Sequence, residues 1–144
     1  MISQPTLRKF QYPSSLVKEY QHWLVLLRPK QVTLGSLILI CKDDAKSFGK
    51  ISPEAFAELK LITNVIEVTL NSLFTYDKIN YLMLMMVDPE VHFHVIPRYD
   101  KDRKFDQTTF TDPGWPKAAD MDNVNEITKD QFKKLRTSIK DNWR

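Results

Sequence analysis

The amino-acid sequence predicts an α+β fold that is built on an antiparallel sheet, with one long helix and a second helix at the C-terminus. Three observations support this prediction. Apolar segments of strand length lie on both sides of residues 52–74, that segment repeats apolar residues at helical spacing, and residues 128–142 begin with a capping motif. Strands grouped before and after one helix are typical of α+β proteins. With 144 residues, we expect a single domain over residues 1–144.

Three strands are predicted before the long helix. Residues 1–14 are polar and contain two prolines, which favours an arm or an edge strand. Residues 15–20 and 22–28 hold short apolar stretches that indicate two strands around a tight connection, with one helix over residues 15–27 as the alternative. Next, PKQVTLGS predicts a turn, and SLILICK predicts a buried strand. The following DDAKSFGK indicates a loop or a short helical turn.

Both helices are predicted from their capping residues and their spacing. Ser52 is a suitable N-cap, and Pro53 fits the first helical position. Apolar residues at spacings of three and four then form one continuous face: Phe56, Leu59, Ile62, Ile66, Leu70 and Leu73. Thr128 and Gln131 have the spacing of a capping box, which begins a C-terminal helix that ends near Asn142.

Two strands and an irregular segment are predicted between these helices. The sequences DKINYLMLMMVD (residues 77–88) and EVHFHVIPRY (residues 90–99) predict strands that Asp88 and Pro89 join as a hairpin. Apolar residues on both faces indicate that these strands are central and covered. Residues 100–127 are mostly polar and are predicted to be irregular. A loop of this length is typical of a functional site or an interface.

Composition and charge limit the classes of function. The net charge of +3 suits an anionic small molecule and is too low to indicate nucleic-acid binding. The single cysteine, Cys41, lies in an apolar run and is expected to be a buried thiol in a reducing compartment. The N-terminus has no apolar signal core, and the apolar runs are too short to cross a bilayer. We therefore expect a cytoplasmic protein without a membrane partner.

The stretch EVHFHVIPRY holds two of the three histidines. Side chains two positions apart in a strand lie on one face, about 7 Å apart. Glu90, His92 and His94 are therefore predicted to share one face. The alternate positions are apolar and are predicted to pack beneath the long helix: Val91, Phe93 and Val95.

Three interpretations of this cluster differ in chemistry. The histidines can be half-buried polar residues, or they can bind Zn²⁺ or Fe²⁺ together with Glu90. Two observations disfavour a bound metal: no third histidine or cysteine is close in sequence, and Arg98 adds a positive charge. The third interpretation is nucleophilic chemistry at phosphorus. A neutral imidazole is a good nucleophile at pH 7, and a second histidine or an arginine can stabilise phosphate charge.

The sequence VHFHVIPRY resembles the signature of the histidine triad family of nucleotide hydrolases and transferases. RPKQVTLGSLILICK, the long helix and KINYLMLMM match that family in order, so the resemblance covers about residues 15–99. It implies that His92 attacks the α-phosphate of a dinucleoside polyphosphate, a nucleoside phosphoramidate or a similar nucleotide, and becomes transiently nucleotidylated. His94 would hold phosphate oxygens. The resemblance also implies a homodimer, and no cofactor apart from Mg²⁺ that arrives with the substrate.

Glu90 stands where the family has its first histidine. We favour a carboxylate that faces His92 and orients its ring, over a carboxyl group that burial keeps protonated. A domain that binds nucleotides without useful turnover is the alternative. Arg28, Asn80 and Arg98 are further candidates for substrate binding. Their structural alternatives are a solvated strand end for Arg28, a loop contact for Asn80 and an ion pair for Arg98.

Overall fold

An antiparallel sheet of five strands forms the centre of the computed structural model, which describes residues 1–144. Along the chain these strands are β1 (Leu16–Glu19), β2 (Trp23–Leu27), β3 (Leu37–Cys41), β4 (Lys78–Leu82) and β5 (His92–Arg98). Their order in the sheet is β1-β2-β3-β5-β4, and every neighbouring pair is antiparallel. The predicted fold class is confirmed, and the helix considered for residues 15–27 is excluded.

Three helices and a short hairpin complete the fold: α1 (Gln4–Lys9), α2 (Pro53–Phe74), α3 (Lys129–Asp141), β6 (Arg103–Phe105) and β7 (Thr108–Phe110). The Ser52 hydroxyl accepts a hydrogen bond from the backbone N–H of Ala55 at 3.1 Å, which fixes the start of α2. The Thr128–Gln131 capping box is formed in full at the start of α3. Both predicted helices are therefore confirmed. A single 3₁₀ turn at Phe48–Lys50 matches the short helical turn considered for that region.

The main core lies between one face of the sheet and helices α2 and α3. Its buried apolar residues come from alternate strand positions and from both helices, and include Val25, Leu39, Val95, Ile62, Ile66, Leu135 and Ile139. Trp23 Nε1 donates to the Ala55 carbonyl oxygen at 2.8 Å, which ties β2 to the first turn of α2. Full burial of a side chain of this size contributes about 2 kcal/mol. This core holds α2 and α3 on one side of the sheet and leaves the other side to the N-terminal segment.

The opposite face of the sheet is covered by residues 1–12. A second apolar cluster joins this segment to the sheet: Ile2, Phe10, Leu24, Leu26, Ile38 and Ile40. The prediction of an arm or an edge strand here is wrong. The Ser3 hydroxyl accepts from the Thr6 N–H and caps helix α1, and Pro5 fits its first turn. Helix α1 therefore lies on the face of the sheet that carries the histidines.

The turn between β2 and β3 is organised by the buried side chain of Gln31. Its Nε2 donates to the carbonyl oxygens of Arg28 at 2.6 Å and Ser36 at 2.9 Å. Its Oε1 accepts from the N–H groups of Gly35 at 2.9 Å and Ser36 at 3.2 Å. Gly35 has φ +86, and a Cβ atom there would lie 3.0 Å from the Phe74 ring, so this position requires glycine. The turn fixes where Arg28 leaves β2.

Strand β4 corrects two predictions. It is an edge strand with β5 as its only partner in the sheet, whereas a central strand was expected. It also ends at Leu82, where it pairs with His94, so residues 83–91 form a long connection instead of a tight hairpin at Asp88. The apolar run of residues 82–87 predicted a buried strand. Met86 is instead 84% exposed, and no strand continues beyond Leu82.

The segment over residues 100–127 is not wholly irregular, because β6 and β7 pair as a small hairpin. Each strand has three residues, which is too short for an alternating pattern to be recognised. Asp106 and Gln107 at its tip have φ values of 49 and 65. The Asn125 side chain donates to the carbonyl oxygens of Gln31 and Val32 at 3.2 Å and thereby attaches the segment to the turn before β3. No helix of the structure is both long and apolar enough to cross a membrane.

Candidate active site around His92 and His94

Strand β5 places His92 and His94 on the face of the sheet that α1 covers. His92 is paired with Ile40 and His94 with Ile38 of β3. The two ring centroids lie 5.3 Å apart, and the ring planes meet at 77°. Both side chains are buried, with exposed fractions of 3% and 8%. Burial of two polar rings is costly unless each has a hydrogen-bond partner, so their partners define the site.

The ring of His92 is oriented by the main chain of Glu90. Its Nδ1 lies 2.7 Å from the Glu90 carbonyl oxygen. A carbonyl oxygen only accepts hydrogen bonds, so Nδ1 carries the proton and the lone pair of the neutral ring lies on Nε2. His92 therefore has the tautomer that a nucleophile at Nε2 requires.

The ring of His94 is held in the opposite tautomer by Arg28. The guanidinium Nε of Arg28 lies 3.4 Å from Nδ1 of His94. Arginine can only donate, so Nδ1 accepts and Nε2 carries the proton. Burial, followed by the charges of Arg28 and His92, lowers the pKa of His94 to about 4. His94 is therefore neutral at pH 7 and presents an N–H donor at Nε2.

The Glu90 carboxylate does not face His92, and the prediction that it orients the ring is wrong. Its oxygens accept from the Ser3 N–H at 2.6 Å and from the Thr6 hydroxyl at 2.8 Å, both at the start of α1. Burial acts to raise the pKa of Glu90, but the hydrogen bonds from Ser3 and Thr6 hold it below its ordinary value. Glu90 is therefore ionised, and its side chain fastens α1 to the connection before β5.

Asp88 and Lys9 complete the surroundings of His92 and were not identified from the sequence. Asp88 Oδ2 lies 4.0 Å from Nε2 of His92 and 2.9 Å from Nζ of Lys9, which is the last residue of α1. The sequence did contain a signal for this helix, because Ser3 is a suitable N-cap and Pro5 suits the first turn. The lysine offsets the negative charge that Asp88 places beside Nε2 of His92.

Arg98 and Asn80 lie on the same face of the sheet but are not brought to the histidines. Arg98 is four residues beyond His94 in β5, about 13 Å along the strand. Its Nε and Nη2 donate to the Asp112 carboxylate at 2.7 and 3.1 Å, and its Nη1 donates to the Asn80 side-chain oxygen at 2.9 Å. Both residues line a separate cleft of about 410 Å³ that also contacts Trp115. The geometry favours the alternative of an ion pair for Arg98.

A cationic cleft lies next to Arg28, the residue that contacts His94. The cleft has a volume of about 300 Å³, and its walls come from the end of α1 and from the turn after β2: Lys9, Phe10, Gln11, Arg28, Pro29 and Lys30. Arg28 thus contacts both the cleft and His94. Three cationic side chains thus line a cleft beside the histidine pair, which is an arrangement suited to a phosphate group.

The geometry does not support a metal centre at the histidines. With the Glu90 carboxylate turned toward Ser3 and Thr6, the pair has lost the third ligand that the metal interpretation needs. No group of three histidine, cysteine, aspartate or glutamate side chains lies close enough to hold a metal ion. The histidine pair therefore lacks the set of protein ligands that the metal interpretation needs.

Comparison with known proteins identifies the fold. No family model matches the sequence, and no curated protein does. Among solved structures, a histidine triad protein from Bradyrhizobium japonicum matches with a TM-score of 0.76 and 14% identity, over 100% of this chain and 98% of that chain. One from Sinorhizobium meliloti 1021 matches with a TM-score of 0.76 and 19% identity, over 99% and 96%.

A third similar structure is a hypothetical histidine triad nucleotide-binding protein from Sulfolobus tokodaii strain7. It has a TM-score of 0.69 and 17% identity, over 95% of this chain and 88% of that chain. At these identities the likeness defines the fold. The chain has the histidine triad fold.

We predict that His94 makes the stability of the protein depend on pH. Its pKa is about 4 in the folded protein and 6.5 as the ordinary value, so the unfolded state binds more protons between these values. The free energy of unfolding should therefore rise with pH over this window, and His94→Gln should flatten the rise by up to about 3 kcal/mol. Urea unfolding at pH 5 and pH 7 gives the free energy of unfolding of each protein. An equal rise between these pH values in the wild type and in His94→Gln would contradict the prediction.

We also predict that Glu90 controls how firmly α1 is attached. Glu90→Ala removes charge-assisted hydrogen bonds and leaves the Ser3 N–H unpaired, which costs about 1.5–3 kcal/mol. Trypsin should then cleave after Arg8 and Lys9 about tenfold faster or more. Thr6→Val should also increase the rate of this cleavage. Glu67→Ala, which removes an acceptor of the Tyr81 hydroxyl elsewhere, is the control. Similar cleavage in all variants would show that Glu90 does not hold the helix.

Proposed function

We propose that this chain is a histidine triad protein that acts as a nucleotide hydrolase or nucleotidyl transferase through a nucleotidyl-histidine intermediate. The observation that carries the proposal is the pair of opposite tautomers, with a lone pair on Nε2 of His92 and a proton on Nε2 of His94. The shared fold and the cationic cleft lined by Lys9, Arg28 and Lys30 support it.

In the proposed first step, Nε2 of His92 forms a bond to the α-phosphorus while the bond to the leaving group breaks. The electron pair of that bond leaves with the leaving group, and an amine leaving group takes a proton from solvent. The resulting imidazole carries a positive charge, which the Nδ1–H···O=C bond to Glu90 stabilises. His94 donates its Nε2 proton in a hydrogen bond to a non-bridging phosphate oxygen, and Arg28 offsets phosphate charge.

In the proposed second step, water or another acceptor attacks the same phosphorus. A new P–O bond forms, the P–N bond breaks, and the electron pair returns to Nε2 of His92. The proton of the attacking water passes to solvent. No metal ion takes part in these steps, and any Mg²⁺ would arrive with the substrate.

A domain that binds nucleotides without turnover is the second candidate, and one observation favours it. The Asp88 carboxylate lies 4.0 Å from the nucleophilic nitrogen of His92, where a negative charge repels an incoming phosphate. Lys9 offsets this charge only while α1 remains in place. The two candidates therefore differ in whether His92 becomes nucleotidylated.

We further propose that two copies of the chain associate through the free edge of β4. An unpaired strand edge is a template for pairing with another chain. The connection that follows it exposes several large apolar side chains to solvent: Leu84 (53% exposed), Met86 (84%) and Val87 (82%). Exposed apolar groups of this size beside a free edge are typical of an interaction surface.

We predict a nucleotidyl adduct on His92. Incubation with adenosine phosphoramidate should add one adenylyl group to the wild-type protein, seen by intact-mass spectrometry, and His92→Ala should form none. His94→Ala should slow turnover about a hundredfold, since one hydrogen-bond donor to the phosphate is lost. His22→Ala, outside the site, is the control. Binding of the substrate without adduct or product would support the binding-only candidate. Turnover that a chelator abolishes and Zn²⁺ restores would support a metal mechanism.

We predict that charge at the exposed connection reduces self-association. The double variant Met86→Glu, Val87→Glu should sediment as a monomer at concentrations where the wild type sediments as a dimer, because like charges on the two copies would repel each other where the exposed connections meet. Thr137→Glu, at an exposed position on α3, is the matched control. A wild-type monomer at high concentration, or a dimer that persists in the double variant, would refute the proposed interface.

A further inference from the structure

We propose that the cleft beside α3 is a second anion-binding site, continuous with the histidine site, which holds the distal phosphates of a nucleotide substrate. The substrate assignment rests on the proposed function. The observations that support the site itself are the cationic side chains of α3 and the wall residues that this cleft shares with the cleft beside Arg28.

The cationic residues of α3 divide into two groups. Lys129, Lys133 and Arg136 are spaced by four and three, so they lie on one side of the helix, and all three line a cleft of about 610 Å³. Lys134 points elsewhere and is paired with Asp106 and Asp130, each at 3.4 Å. No carboxylate lies within 4.0 Å of the three cations that line the cleft, in contrast to Lys134. Their positive charge is therefore available to a ligand.

This α3 cleft adjoins the cleft beside Arg28. Gln11 and Pro29 are in the walls of both clefts. Beyond them, Lys9, Arg28 and Lys30 line the second cleft, and Arg28 also contacts His94. The cationic side chains thus form one series from the histidine pair to α3. A single phosphate at His92 would use only one end of this series, whereas a chain of several phosphates can use both.

The α3 cleft also has a small apolar surface. Ile127 and Phe132 are its two apolar wall residues, and both are half-buried. The Arg136 Nε donates to the Ser14 carbonyl oxygen at 3.2 Å, which holds the guanidinium against the wall. An aromatic ring beside cationic groups suits a base and its phosphates. The ligand class that fits is therefore a nucleotide whose leaving portion is itself a nucleoside phosphate, in preference to a neutral amine.

Calorimetric titration with three probes tests this site. The probes are diadenosine tetraphosphate, inorganic tripolyphosphate and adenosine monophosphate. They are titrated into the wild type, into the double variant Lys129→Gln, Lys133→Gln, and into Lys134→Gln as the matched control. All these lysines are exposed, so the variants should fold as the wild type does. We expect the double variant to lose about tenfold in affinity for both polyphosphates and to keep its affinity for adenosine monophosphate.

The outcomes separate this site from the catalytic proposal. Equal losses per removed charge in the double variant and in Lys134→Gln would overturn the site, because the effect would then be general electrostatics. The site is also overturned if the wild type binds diadenosine tetraphosphate no more tightly than adenosine monophosphate, or if the double variant binds tripolyphosphate as the wild type does. Nucleotidylation of His92 is measured separately, so its absence would refute the catalytic step and leave the tripolyphosphate comparison valid.

Discussion

The geometry of the site depends on the buried hydrogen bond between Nδ1 of His92 and the carbonyl oxygen of Glu90. Because the acceptor belongs to the main chain, the tautomer of His92 is fixed by the path of the backbone into β5. The alternation of β5 then places His94 on the same face, where Arg28 fixes the other tautomer. Both rings are buried, so neither exchanges its partner for water. Two neighbouring rings therefore present one nitrogen lone pair and one N–H donor without a third histidine.

Glu90 carries out two separate tasks with two parts of the residue. Its carbonyl oxygen orients the His92 ring, and its carboxylate fastens α1 through Ser3 and Thr6. The Glu90 carboxylate therefore adds no charge directly beside the His92 ring. The charge that does lie there belongs to Asp88, and Lys9 offsets it from the end of the same helix. The attachment of α1 and the electrostatics around His92 are thus coupled.

The sequence predicted the fold class, both long helices and the shared face of the histidines, because each depends on local periodicity or on capping. It did not predict the direction of the Glu90 carboxylate, since the partners of that group lie more than 80 residues away in the chain. The edge position of β4 was missed for a related reason. An apolar run indicates a surface that is covered, but it does not distinguish a surface covered inside a core from one suited to contact with another molecule. The three-residue strands β6 and β7 are too short to show a period.

The depressed pKa of His94 makes the binding of an anion beside Arg28 depend on pH. Burial lowers the pKa first, and the nearby charge of Arg28 lowers it further. A phosphate that binds beside Arg28 offsets that charge and adds a negative charge near the ring, so it favours the protonated form of His94. By linkage, a ligand that raises this pKa binds more tightly as the pH falls toward it. Burial first and the charge of Arg28 second thus keep His94 neutral, and a bound anion opposes the second of these causes.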